Sequence, residues 1–145
     1  MLLAVPLGTA RTPRKATDMT DDEAWEFATG WAKAWNSHDI EAVLGHFRED
    51  VEFRSPLAAD LVLGSAGTIL GKDALRAYWR TGLERLPDLH FELLGVYPGV
   101  DAVIIHYRNQ AGRSVCEFLE FDGERVIRGH GCYAAPAATP PTAAP

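Results

Sequence analysis

Residues 103–121 read VIIHYRNQAGRSVCEFLEF. Two runs of alternating apolar residues flank NQAG, a turn signal. If NQAG is a type I turn closed by Gly112 as a bulge, Asn109 pairs with Arg113. Val115 then faces Tyr107, Glu117 faces Ile105, and Leu119 faces Val103. That register makes one face apolar throughout except for Glu117, and a one-residue slip would break it. An unpaired carboxylate is costly to bury, so such a group is paired, protonated or chemically useful.

The alternation extends in both directions. LHFELLGVY (residues 89–97) precedes the hairpin and RVIRGHGCYA (125–134) follows it, set off by PG and DG turn signals. These segments predict a four-strand antiparallel meander. Upstream, TDDEAWEFATGWAKAWN opens with Thr20 as a cap and Glu23 as its capping-box partner. Phe27, Trp31 and Trp35 then recur at helical spacing. Asn36, Ser37 and His38 break this helix, and Asp39 caps a short second one, IEAVLGHF. VEFRSP is a brief strand with Val51, Phe53 and Ser55 on one face, stopped by Pro56. Residues 57–71 carry no clear pattern. GKDALRAYWRTGLERLP is a third helix, with Leu75, Tyr78, Trp79, Leu83 and Leu86 as its apolar face. Helices followed by a meander predict an α+β fold, with helices on one face of a curved antiparallel sheet.

The chain has 145 residues, enough for one domain with a core. Its net charge of −6 and its scattered Lys and Arg argue against a nucleic-acid surface. Cys116 and Cys132 form no CxxC pair, which fits a reducing, cytoplasmic setting. No apolar run is long enough to span a bilayer. In MLLAVPLGTARTPRK the positive charges follow the apolar stretch, the reverse of a secretory leader. Residues 1–18 are therefore expected to be a disordered extension, with Met19 as an alternative start. The domain is expected over 19–134 and a disordered Pro/Ala tail over 135–145.

AWNSHDIEAVLGHFREDVEFRSP, then GKDALRAYW, then the long meander, resembles the nuclear transport factor two-like superfamily, and within it the SnoaL-like and ketosteroid isomerase-like branch. The resemblance covers nearly all of residues 21–134. It implies a cone: a bent sheet wrapped over three helices around an apolar pocket, with the outer sheet face forming a homodimer. By the same resemblance Glu117 stands where the isomerases carry an oxyanion-binding acid held neutral in an apolar site. Trp31 occupies the place of their oxyanion-binding Tyr, and Ser55 that of their catalytic base. A hydroxyl with no adjacent base does not abstract a proton at neutral pH, so steroid isomerisation is disfavoured. Epoxide-hydrolase relatives carry an inward Asp on the last strand, where this chain has Gly131, with Gly129 at the neighbouring inward position; the two glycines are expected to leave space and enlarge the pocket toward that strand.

The resulting expectation is a cofactor-independent isomerase, cyclase or dehydratase acting on an apolar small molecule. Glu117 is its general acid, supported by Tyr133 or Tyr107. Trp31 and Trp79 stack on the ligand, and Trp35, Phe53, Ser55, Tyr78, Leu119, Gly129 and Gly131 complete the pocket. The alternative is a non-catalytic binding or dimerisation module with a structural Glu117. The last hairpin separates the two. A two-residue Asp122–Gly123 turn puts Arg128 opposite Glu117 as an ion-pair partner. A three-residue DGE loop puts Gly129 there, with Ile127, Gly129, Gly131 and Tyr133 facing the pocket. His106, Cys116 and His130 line up across three strands of the outer face, but with no fourth ligand or supporting carboxylate no metal is expected. His38, His46 and His90 read as helix-end or surface residues.

Overall fold

A computed structural model of the chain describes residues 19–137. The expected extension over 1–18 and most of the Pro/Ala tail lie outside the described residues. Thr20 caps helix α1 (Asp21–Asn36) as its sequence signals, accepting from the Glu23 amide at 3.2 Å. Asp39 does the same for α2 (Ile40–Leu44), accepting from Ala42 N at 3.1 Å. Strand β1 (Phe47–Arg54) runs into Ser55, which caps a short helix α3 (Pro56–Leu61) that the sequence pattern does not reveal. Pro56 therefore ends the strand by starting a helix, where its missing N–H costs nothing. A three-residue strand β2 (Thr68–Leu70) folds back on β1, and α4 (Lys72–Arg85) follows. The meander comprises β3 (Glu92–Gly99), β4 (Ala102–Arg108), β5 (Ser114–Asp122) and β6 (Arg125–Tyr133).

The fold is α+β, with a curved, unclosed six-strand sheet in the order β2-β1-β6-β5-β4-β3. Four helices accompany it among the described residues rather than three, the addition being α3. β1 pairs with β6 in parallel and every other neighbouring pair is antiparallel. The β4–β5 register is the one expected: Val115 opposite Tyr107, Glu117 opposite Ile105, Leu119 opposite Val103. Asn109 N donates to Arg113 O at 2.9 Å, closing the hairpin with Gly112 at φ 79°.

The β5–β6 hairpin differs from both turn alternatives. Its two-residue turn is Gly123–Glu124, with Asp122 opposite Arg125, and a bulge follows between Glu120 and Phe121. The extra residue on β6 is Ile127, so Val126 takes the inward position expected for Ile127. Beyond the bulge, Leu119 faces Gly129, Glu120 faces Arg128 and Glu117 faces Gly131. On the outer face, Cys116 lies between His106 and Cys132, while His130 faces Phe118. The expected His–Cys–His row is therefore not formed, and among the described residues no cluster could hold a metal ion.

The core fills the concave side of the sheet. Val103, Ile105, Val115, Leu119 and Val126 from the strands are all at or below 1% exposure, and meet Trp31 and Leu75 from the long helices. Each such side chain contributes roughly 1.5–3 kcal/mol by leaving water. Among the described residues no helix is long and apolar enough to cross a membrane.

Candidate functional site

The apolar stripe of α1 places Trp31 and Trp35 one turn apart inside the sheet's concave side, where they meet the rings of α4 and β1. Trp35 packs edge-on against Trp79 (centroids 4.9 Å apart, planes at 75°), and Trp79 in turn against Phe47 and Phe53. Trp31 stacks with Phe91 at 5.7 Å, and Phe91 lies 4.2 Å from Tyr107 on β4. Such pairs contribute about 0.5–1.5 kcal/mol each beyond their burial.

These rings wall a cleft with about 60 Å³ of free space. Of the residues expected there, Trp31, Trp35, Phe53, Ser55, Tyr78, Trp79, Tyr107, Glu117 and Tyr133 line it. Leu119 and Gly129 do not: Leu119 is fully buried beneath, and the space above Gly129 is taken by Phe53. A Cβ on Gly129 would stand 2.7 Å from Phe53 Cδ2, so this glycine permits close packing and does not enlarge the pocket. Gly131 borders a neighbouring groove, which it shares with Ser55.

Phe91 completes the cleft and was not anticipated as a site residue. It belongs to the connection between α4 and β3, and is the one lining aromatic outside helix and strand. Asn36, at the end of α1, holds its backbone from both sides. Asn36 Nδ2 donates to Phe91 O at 2.9 Å, and Phe91 N donates to Asn36 Oδ1 at 2.7 Å. The adjoining His38, at φ 57°, sets its ring Nε2 3.0 Å from Leu89 O. The sequence signal was the odd-position alternation Phe91, Leu93 running into β3.

The polar end of the cleft is small. Tyr107 donates its hydroxyl to Glu117 Oε1 at 3.0 Å. Among the described residues no Lys, Arg or His forms an ion pair with Glu117. Arg128 pairs instead with Glu120, Nη1 to Oε2 at 3.0 Å. Burial pushes the Glu117 carboxyl up to about 7, with the Tyr107 hydrogen bond pulling weakly the other way. Burial likewise pushes the Tyr107, Tyr133 and Tyr78 phenols up, reinforced by the nearby Glu117 charge, so all three are neutral donors at neutral pH. Arg113 lies over the outer side of the Tyr133 ring, 5.1 Å from its centroid. Ser55 Oγ accepts from Leu57 N at 3.2 Å as the α3 cap, and its hydroxyl faces the Tyr78 and Tyr133 phenols. One carboxyl group able to hold or release a proton near pH 7, ringed by neutral hydroxyls against aromatic walls, suits acid–base exchange with a mostly apolar molecule.

Helices laid in a curved open sheet around such a cleft define the cone architecture. The SnoaL-like domain family matches residues 28–133. The chain belongs to that family. A SnoaL-like protein of unknown function from Burkholderia thailandensis E264 is 38% identical, with a TM-score of 0.75 over 80% of this chain and 98% of that one. An NTF2-like protein of unknown function from Burkholderia pseudomallei K96243 shares the fold at 17% identity, with a TM-score of 0.59 over 80% of this chain and 92% of that one. TerC, co-crystallised with polyporic acid, does so at 17% identity, with a TM-score of 0.63 over 77% of this chain and 91% of that one. No curated protein sequence matches the chain.

Proposed function

We propose that this protein binds a small, mostly apolar molecule with a polar handle and exchanges a proton with it through Glu117. The reaction class is cofactor-independent isomerisation, cyclisation or dehydration. The observation that carries this reading is Glu117 itself: it faces the cleft, sits where the aromatic walls end, and among the described residues has one neutral hydrogen-bond donor and no cation paired with it. The Arg128 pairing that would make it structural is not formed. As an acid Glu117 gives its proton to a ligand oxygen; as a carboxylate it takes one from a ligand carbon or hydroxyl. Tyr107 and Tyr133 stabilise the charge that remains.

Ligand size follows from the free space. About 60 Å³ is well below the roughly 150 Å³ that admits a benzene ring. A flat ligand therefore seats by displacing Phe91, the lining ring carried outside helix and strand, and takes its stacking place against Trp31 and Tyr107. TerC, which shares the fold, was co-crystallised with polyporic acid, in keeping with a small-molecule ligand for this fold. The same tight filling favours a second reading, a non-catalytic module whose Glu117 only anchors Tyr107. The working form is proposed to be a cytosolic homodimer joined through the outer sheet face.

A thermal-shift screen of ring compounds bearing one hydroxyl or carbonyl, run on wild type and Glu117→Gln together, separates the two readings. Hits that raise the melting temperature of wild type but not of the variant support the proton-exchange reading. Hits that are absent, or equal in both proteins, leave Glu117 as scaffold.

A further inference from the structure

β1 and β6 stay paired only as far as Arg54 and His130, because Ser55 and Pro56 turn the chain into α3. The next residue on β6, Gly131, has Glu117 of β5 on one side and no strand on the other. A groove of about 310 Å³ opens there, bordered by Arg54, Ser55, Pro56, Thr68, His130 and Gly131. Ser55 lines both this groove and the aromatic cleft.

Gly131 is not required by its backbone, since its φ lies outside the left-handed region. Packing does not require it either. A Cβ there would stand 3.4 Å from Ser55 Oγ and 3.5 Å from Glu117 Oε1, ordinary contact distances. Gly129, two residues earlier, has a neighbour at 2.7 Å and a plain packing reason to be glycine. What the bare Gly131 does is hold an atom-sized space open between a hydroxyl and a carboxyl group, at the floor of a polar groove.

We infer that this space is a back door, a water-wide passage through which Glu117 exchanges protons with solvent while a ligand occupies the aromatic cleft. The inference rests on Glu117 being the proton-carrying group. An acid that has given its proton to a ligand regains one either from the ligand itself or from solvent, and with the apolar cleft filled the solvent route has to run elsewhere. The groups facing Glu117 are Tyr107 from β4, Tyr133 from β6, Tyr78 from α4 and Ser55 at the end of β1. Arg113 bears on it only across the Tyr133 ring. In the groove, Arg54 pairs with Glu52 at 3.5 Å and the His130 ring packs towards Phe118, so neither neutralises Glu117.

The passage is tested without any ligand, by carbon-13 titration of the Glu117 carboxyl group, its signal assigned by loss in Glu117→Gln. Thr68→Phe fills the groove from its rim without touching Glu117 or the cleft, and Gly131→Ala fills the space itself. Both are expected to raise the Glu117 midpoint, by about half a pH unit or more, since each removes water from the carboxylate. Gly131→Ala is expected to keep the wild-type melting temperature. An unmoved midpoint in Thr68→Phe overturns the passage even if Gly131→Ala shifts it, because a methyl group beside the carboxylate acts locally. Should Thr68→Phe not fold, Ala59→Leu narrows the groove from α3 and is read in the same way. A wild-type midpoint in the ordinary carboxylate range would instead sink the proton-carrier reading, while the difference between wild type and the groove variants would still report on the passage.

Discussion

At pH 5 Glu117 is protonated in the folded chain and largely ionised in an unfolded one, where its carboxyl group titrates near 4.5. Because the folded value is raised to about 7, the folded state holds this proton more tightly. Below about pH 4.5 both states are protonated and the group costs nothing. As pH climbs to 7 the unfolded chain releases the proton first, and stability falls by up to about 3 kcal/mol, a loss complete above the folded midpoint. Glu117→Gln removes this loss, so urea unfolding should show the variant gaining on wild type between pH 5 and pH 8. A gap that does not change with pH would refute the buried-acid assignment. Gly129→Ala has a different origin: the added methyl group meets the Phe53 ring at 2.7 Å. Overpacking of this kind should lower stability by about 1–3 kcal/mol in urea unfolding, and an unchanged midpoint would show that Phe53 yields freely. Glu117 was legible in the sequence because strand alternation isolates one carboxylate on an apolar face. The division of labour between Gly129 and Gly131 was not, since it depends on where the Phe53 ring lands.

The amide of Asn36 is the clasp between α1 and the segment that carries Phe91 into the cleft. Asn36→Ala leaves a donor and an acceptor of Phe91 without their partners and should cost about 1–3 kcal/mol. The loss should be local first: amide exchange at Phe91 should accelerate more than exchange in β4 or β5, and uniform acceleration would argue against a clasp. Freed from Asn36, Phe91 should also yield its place more readily, so any ligand found in the screen should associate faster. At this scale the sequence was informative where side-chain patterns repeat. Caps at Thr20 and Asp39, the aromatic stripe of α1 and the β4–β5 register all follow from spacing. Helix α3, at six residues, is too short to show a period. The bulge at Ile127 depends on a turn at Gly123–Glu124, and FDGE permits several turns whose energies differ little.

Phe118 stands on the outer face of the sheet, 36% exposed, between Ile104 and His130 of the flanking strands. If that face joins two subunits, wild type should sediment as a pair of 15.9 kDa chains and Phe118→Glu as one. Equal masses for the two proteins would defeat the dimer. The α+β architecture was readable from element order alone, but the long-range β1–β6 pairing was not, because no local pattern announces which strand receives β1. That pairing has a consequence for how the chain is made. β3, β4, β5 and β6 each pair with the strand just before or just after in the chain; β1 pairs early with the three-residue β2 along one edge, but its other edge must wait for β6. At about 5–20 residues per second on the ribosome, the wait is on the order of ten seconds. Through that interval Phe47 and Phe53 sit on a strand backed only by the short β2, and contacts between distant segments form slowly. Biosynthesis thus exposes the cleft's own aromatic wall before the cleft exists, and the growing chain is at its stickiest just before its last strand emerges.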